Sequence, residues 1–166
     1  MNSINFETGY IFQSFLVIFI TFVGIFMQKK VSARLHKRFQ KTKNPWDDAV
    51  VEAVSKPLGI VIAITGISFA CEIIQKSTGA VIFEAVGPIR DITVIAAISW
   101  FLIKFTVSGE RVFLEKETKA DKTTVDAVAK LIRISILITS VLVTLQTLGF
   151  SVSGVLAFGG MGGVVV

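Results

Sequence analysis

The chain has 166 residues, 52% of them hydrophobic, with a mean hydropathy of +0.73 and 17 Lys+Arg against 12 Asp+Glu. The apolar residues come in long blocks with the charges between them, which excludes an ordinary soluble domain and describes a multi-pass, all-α membrane protein. No soluble face is left to carry a basic patch with interleaved aromatics, so the basic excess reads as membrane topology and no nucleic-acid partner is expected.

The first apolar run is Tyr10–Met27. Before it, Met1–Gly9 carries only an acid, Glu7, and after it come Lys29 and Lys30. A secretory signal has the opposite order, with positive charge first, so this run is a first span with its N-terminus outside. Beyond it Val31, Leu35 and Phe39 recur every four residues among basic ones, which predicts that the span continues as a basic amphipathic helix. The stretch NPWDDAVVEAVSKP then reads as a helix start: Asn44 as cap, Pro45 at the first helical position, Asp47 and Asp48 at the positive end of the dipole. Trp46, Val50 and Val54 share one face of it. Two readings stand open, an amphipathic helix lying in the interface and a connecting helix packed on its neighbours.

The second span is Pro57–Ile74, free of charge until Glu72. Cys71 lies inside it as the only cysteine, which leaves no disulfide framework and fits a small packing residue. The third span is Ile92–Ser108, with Trp100 inside and Lys104 near one end, where its stem can snorkel. Thr123, with Asp126 three residues on, resembles a capping box opening a fourth span, Val125–Leu148. Lys130 and Arg133 share a face in its first turns. They read either as contacts to anionic headgroups or as interfacial anchors that set the depth of the span.

From Ile134 to Val166 there is no charged residue. As one helix those residues would be about 50 Å long, far more than a bilayer core. The run must fold back, with Gly149 as the stop and Ser151 or Ser153 as cap of a fifth helix. That helix, from about Val152 to Val166, would reach only about 22 Å, so the sequence is expected to be part of a longer chain. The chain divides into peripheral spans and loops, 1–127, and the last two spans, 128–166. Basic residues fall fifteen in the two loops after spans one and three and only two, Lys76 and Arg90, between spans two and three. That puts the basic loops and the C-terminus in the cytoplasm.

Enzyme chemistry finds no footing. His36 is the only histidine, and the sequence around it shows no pattern of a zinc site or of a nucleophile–base arrangement. Asp47 and Asp48 are adjacent, so on a helix they diverge by about 100°. No phosphate-cradling glycine motif is present. The expectation is a protein that is not an enzyme and needs no cofactor or metal.

The glycines near the end carry the sharper signal. Gly159, Gly160, Gly162 and Gly163 cover nearly half a helical wheel, with Met161 opposite. Gly159 and Gly163 form a G-x-x-x-G pair, enough for close helix packing in lipid. Four glycines together also suit a ring of identical helices around a lumen, where a glycine-rich helix bends or slides at low cost. WDDAVVEAVSKP, DKTTVDAVAKLIR and LGFSVSGVLAFGGMGGVVV together resemble the MscS-type small-conductance mechanosensitive channels, in the branch with five membrane spans. The resemblance runs from about Trp46 onward and is strongest over Thr124–Val166.

That resemblance implies a homoheptameric ion channel of the bacterial inner membrane, opened by tension and protecting against hypo-osmotic shock. Its partners would be membrane lipids, other copies of the chain and the permeating ions. The last span would line the pore, with Val164 at the upper hydrophobic constriction. Leu156 and Gly160, at four-residue spacing, would share its lumen face, while Gly159, Gly162 and Gly163 pack on neighbours. The family's lower constriction and cytoplasmic domain would lie past Val166. Readings from other classes are a transporter or permease with the glycine-rich helix packed inside one chain, and a membrane anchor for a cytoplasmic domain. Internal symmetry would favour the transporter, and none is visible between the spans.

Overall fold

Long apolar runs with few breakers fold as long helices, and a computed structural model describes them over residues 3–39, 45–116, 121–154 and 157. Helix α1 spans Ser3–Phe39, α2 Pro45–Thr78, α3 Val86–Lys116 and α4 Lys122–Thr147. A short 3-10 turn, Val81–Ala85, joins α2 to α3. No strand occurs among the described residues. All four helices are long and apolar enough to cross a membrane. The chain is a multi-pass, all-α membrane protein.

Helix α1 has 37 residues and so extends about 55 Å, well beyond the hydrocarbon core. The expected continuation of the first span past Met27 is present. Val31 and Leu35 remain exposed on it. The second span departs from expectation. It does not begin at Pro57; the helix starts at Pro45 and passes through Pro57, which is buried. The helix expected to open at Pro45 does so, and it is continuous with the second span rather than separate from it.

A proline inside a helix removes one backbone donor and frees carbonyls in the preceding turn. Polar side chains gather at that turn. The Ser55 hydroxyl donates to the Val51 carbonyl, and Gln28 Nε2 of α1 donates to the Ser55 carbonyl at 2.7 Å. These bonds lie in the turns around Pro57, and the Gln28 bond ties α1 to α2 there; the carbonyl that the missing Pro57 amide leaves free is that of Ala53, one turn earlier. Of the two readings of NPWDDAVVEAVSKP, the structure takes the packed one. Trp46 lies 5.8 Å from Phe113, edge to face, and 6.3 Å from Phe105, both on α3. Gly109 makes room for its indole: a Cβ there would sit 3.4 Å from the ring.

Among the described residues each helix packs on its neighbours in sequence: α1 on α2, α2 on α3, α3 on α4. The result is an open row of antiparallel helices. Along the first joint Gln28 meets Ser55, Gly24 faces Ile62 and Thr21 faces Gly66. In an open row the large apolar side chains face outward. Phe12 is 65% and Phe22 73% exposed. Among the described residues the buried apolar side chains include Ala53, Pro57, Ala70, Ala97, Val112 and Ala129, and Ser14 and Ser68 are buried as well. A soluble protein sorts its residues the other way. Small residues at the contacts and large ones outside is the arrangement lipid favours, because burying leucine against leucine gains little over burying it in acyl chains.

Candidate functional site

The end of α4 is where the sequence points to function. Gly149 has a φ of +88°, a left-handed conformation that favours glycine. Its amide donates to the Gln146 carbonyl at 3.0 Å and the Phe150 amide to Leu145 at 3.0 Å. These are the two bonds of a Schellman stop, so Gly149 ends the helix as expected. Ser151 follows, Val152–Gly154 are already helical, and the Gly154 amide donates to the Ser151 carbonyl at 3.2 Å. A new helix therefore begins three residues after Gly149. Leu156, Gly159, Gly160, Gly162, Gly163 and Val164, expected to line or pack the pore, lie outside the described residues.

The start of α4 differs from the sequence reading. The cap is Asp121, not Thr123. Its carboxylate accepts from the Thr124 hydroxyl at 2.8 Å and from the Thr123 amide at 3.2 Å. The Thr124 bond first, and the Thr123 amide second, hold the Asp121 carboxyl below the usual carboxylate range. Asp126, freed from the expected capping box, lies 3.9 Å from Arg133.

Arg133 and Lys130 part company in the structure. Lys130 is exposed. The Arg133 guanidinium reaches across to α3, with Nη2 3.0 Å from Glu110 Oε2, and its Nε donates to the Ala129 carbonyl at 3.2 Å. The sequence reading did not assign Glu110. A lone acid at the end of an apolar run and a lone arginine at the start of the next were the available signal, since such charges pair when they approach in a membrane. The same logic holds at the other end of α3. Arg90 pairs with Glu72 of α2 at 2.5 Å and with Asp91 at 3.1 Å.

Beside the Glu110–Arg133 tie, open clefts lie along the joint of α3 and α4. A cleft of about 560 Å³ opens beside Trp46, Gly109 and Val128. A second of about 530 Å³ continues toward Ile95 and Val143. Leu102, Ile132 and Ile136 line both. The joint is thus an apolar groove running much of the helix length, carrying the Ser99, Ser135, Thr139 and Ser140 hydroxyls in its second half. No cluster of three or more metal-ligating side chains occurs among the described residues.

Compared with known protein families, curated proteins and solved structures, the chain matches none of them.

Proposed function

We propose that the chain is a subunit of a tension-gated ion channel. The carrying observation is the junction at Gly149: a span ends in a tight stop, and Val152–Gly154, three residues later, are helical again, ahead of the glycine-rich sequence that lies outside the described residues. A short turn transmits displacement from α4 to whatever follows with little slack. The open row supports the same reading. Each span exposes broad apolar faces, so stretching or thinning the bilayer acts on the helices directly. The fifteen-to-two basic split supports an orientation with the N-terminus outside and the basic loops in the cytoplasm. The resemblance to MscS-type channels adds the heptameric ring, the pore role of the glycine-rich helix and the protection against hypo-osmotic shock.

In this reading the closed pore is held dry by apolar side chains, and a narrow apolar ring makes hydrated ions unstable inside it. Val164 is the proposed constriction, with Leu156 and Gly160 on the same face. Val164→Ser supplies a hydrogen-bonding group at similar size and should wet the pore. Val165→Ser, turned about 100° away, is the control. Patch recording of the intact protein under graded suction should find Val164→Ser opening at lower tension or leaking at rest, with Val165→Ser near wild type. The reverse ranking would reject the lumen face.

A further inference from the structure

The joint between α1 and α2 carries a second feature, at its basic end. A cleft of about 590 Å³ opens there. Gln28 lies across Gly59, where an added Cβ would meet its Oε1 at 3.3 Å, and its amide binds the Ser55 carbonyl at 2.7 Å and the Ser32 hydroxyl at 3.3 Å. This polar bridge divides the cleft. On the side toward the chain's basic loops stand Lys29 and Lys56, each next in sequence to a residue of the bridge, and both are exposed. On the other side the wall is apolar: Ile25 of α1, Ile60 and Ala63 of α2, and Trp100 of α3.

We propose that this cleft binds one anionic phospholipid, with the phosphate between Lys29 and Lys56 and an acyl chain along Ile25, Ala63 and Trp100. Three observations favour that occupant. The cleft changes from basic to apolar over about two helical turns, roughly 10 Å, which matches the step from headgroup to acyl chain. No acid lines it; Glu52, one turn before Lys56, lies outside the lining. Trp100, midway along the third span, adds a flat indole to the apolar wall at the depth of acyl chains. A free phosphate would use the lysines and leave the apolar half without a ligand. The assignment does not depend on the channel reading.

Trp100 supplies the probe. In a Trp46→Phe background the indole of Trp100 is the only tryptophan, and phospholipids with brominated acyl chains quench it on contact. The intact protein in phosphatidylcholine membranes should be quenched at a far lower mole fraction by brominated phosphatidylglycerol than by brominated phosphatidylcholine. Lys29→Gln with Lys56→Gln should reduce that preference on the order of thirtyfold, since each lysine near an anionic headgroup contributes about a factor of five. Lys37→Gln with Lys122→Gln removes the same charge elsewhere and should leave the preference unchanged. If Trp46→Phe prevents folding, the difference between wild type and Trp100→Phe reads the same quantity. Equal quenching by the two lipids, or an intact preference in the Lys29/Lys56 variant, overturns the proposal. Displacement of the brominated phosphatidylglycerol by inorganic phosphate, but not by chloride at equal ionic strength, would also overturn it, by making this a site for a solution anion.

Discussion

The joints α1–α2 and α3–α4 join helices of similar length and hydropathy in opposite ways. At the first, small residues let the backbones approach. A Cβ built on Gly66 would overlap the Thr21 side chain and stand 2.6 Å from its Cβ. Rotating Thr21 would not relieve this, and its hydroxyl is already bound to the Val17 carbonyl at 2.7 Å. At the second joint the helices are held by the Glu110–Arg133 pair, with apolar clefts beside them. One joint is fixed by shape and the other by charge. Shape tolerates almost no displacement, because dispersion contacts fall off within an ångström. Clefts open beside both joints, so the difference lies in the contact itself: a charge pair at the ends of two long side chains tolerates much more. In a protein that responds to tension, the first joint should move as a unit and the second should yield.

Breaking the tight joint should have the largest effect. Gly66→Ala adds one methyl where no space exists and should destabilise the protein by about 1–3 kcal/mol. Gly9→Ala, inside α1 with nothing within 4 Å of the added Cβ, should be neutral or slightly stabilising, because glycine inside a helix is unfavourable. Thermal unfolding in one detergent compares the two. Equal melting temperatures would mean that α1 and α2 are not in close contact. Thr21→Ala should rescue Gly66→Ala only in part, because its Cβ remains.

Loosening the second joint should have an intermediate effect. Arg133→Ala leaves Glu110 without its partner at the mouth of an apolar cleft and should cost about 1–2 kcal/mol. Exchanging the charges, Glu110→Arg with Arg133→Glu, should restore much of the loss, whereas the same exchange between Lys130 and Glu110 should not. A double-mutant cycle on melting temperature measures the coupling; a coupling near zero would reject the pair as a tie between the helices.

The smallest effect should come from the cap of α4. Asp121→Ala removes the acceptor for the Thr123 amide and should speed hydrogen exchange in the first turn of α4 without changing the rest of the helix. The pH dependence follows from the lowered carboxyl pKa of Asp121. The cap stabilises above the ordinary carboxylate pKa, and that contribution is lost as the pH falls through the lower value reached in the folded protein. Protection in this turn, measured relative to the intrinsic exchange rate at each pH, should therefore fall in acid for wild type and be insensitive to acid in Asp121→Ala.

How far the sequence predicted this molecule depends on the kind of signal. Apolar run length gave the four spans, because hydrocarbon thickness is a strong constraint. Glycine at 149 gave the stop, because few other residues adopt a positive φ. Pro57 misled, since a proline costs a helix one backbone bond without having to end it, and here α2 runs on through it. Thr123 and Asp126 also misled: their spacing fits a capping box, but Asp121 competes for the same amides and wins by bonding two residues of the first turn. Glu110 and Arg133 were each visible, but not as a pair, because nothing in the sequence states the register of α3 on α4.

The account rests most on tension as the stimulus. The direct measurement is patch recording from liposomes containing only the purified, intact protein, under graded suction. The account predicts stepwise currents that appear above a threshold of suction and vanish on its release. It also predicts that Arg133→Ala, which loosens the α3–α4 joint, opens at lower suction than wild type. Patches that hold the protein yet stay silent up to rupture of the bilayer would contradict it.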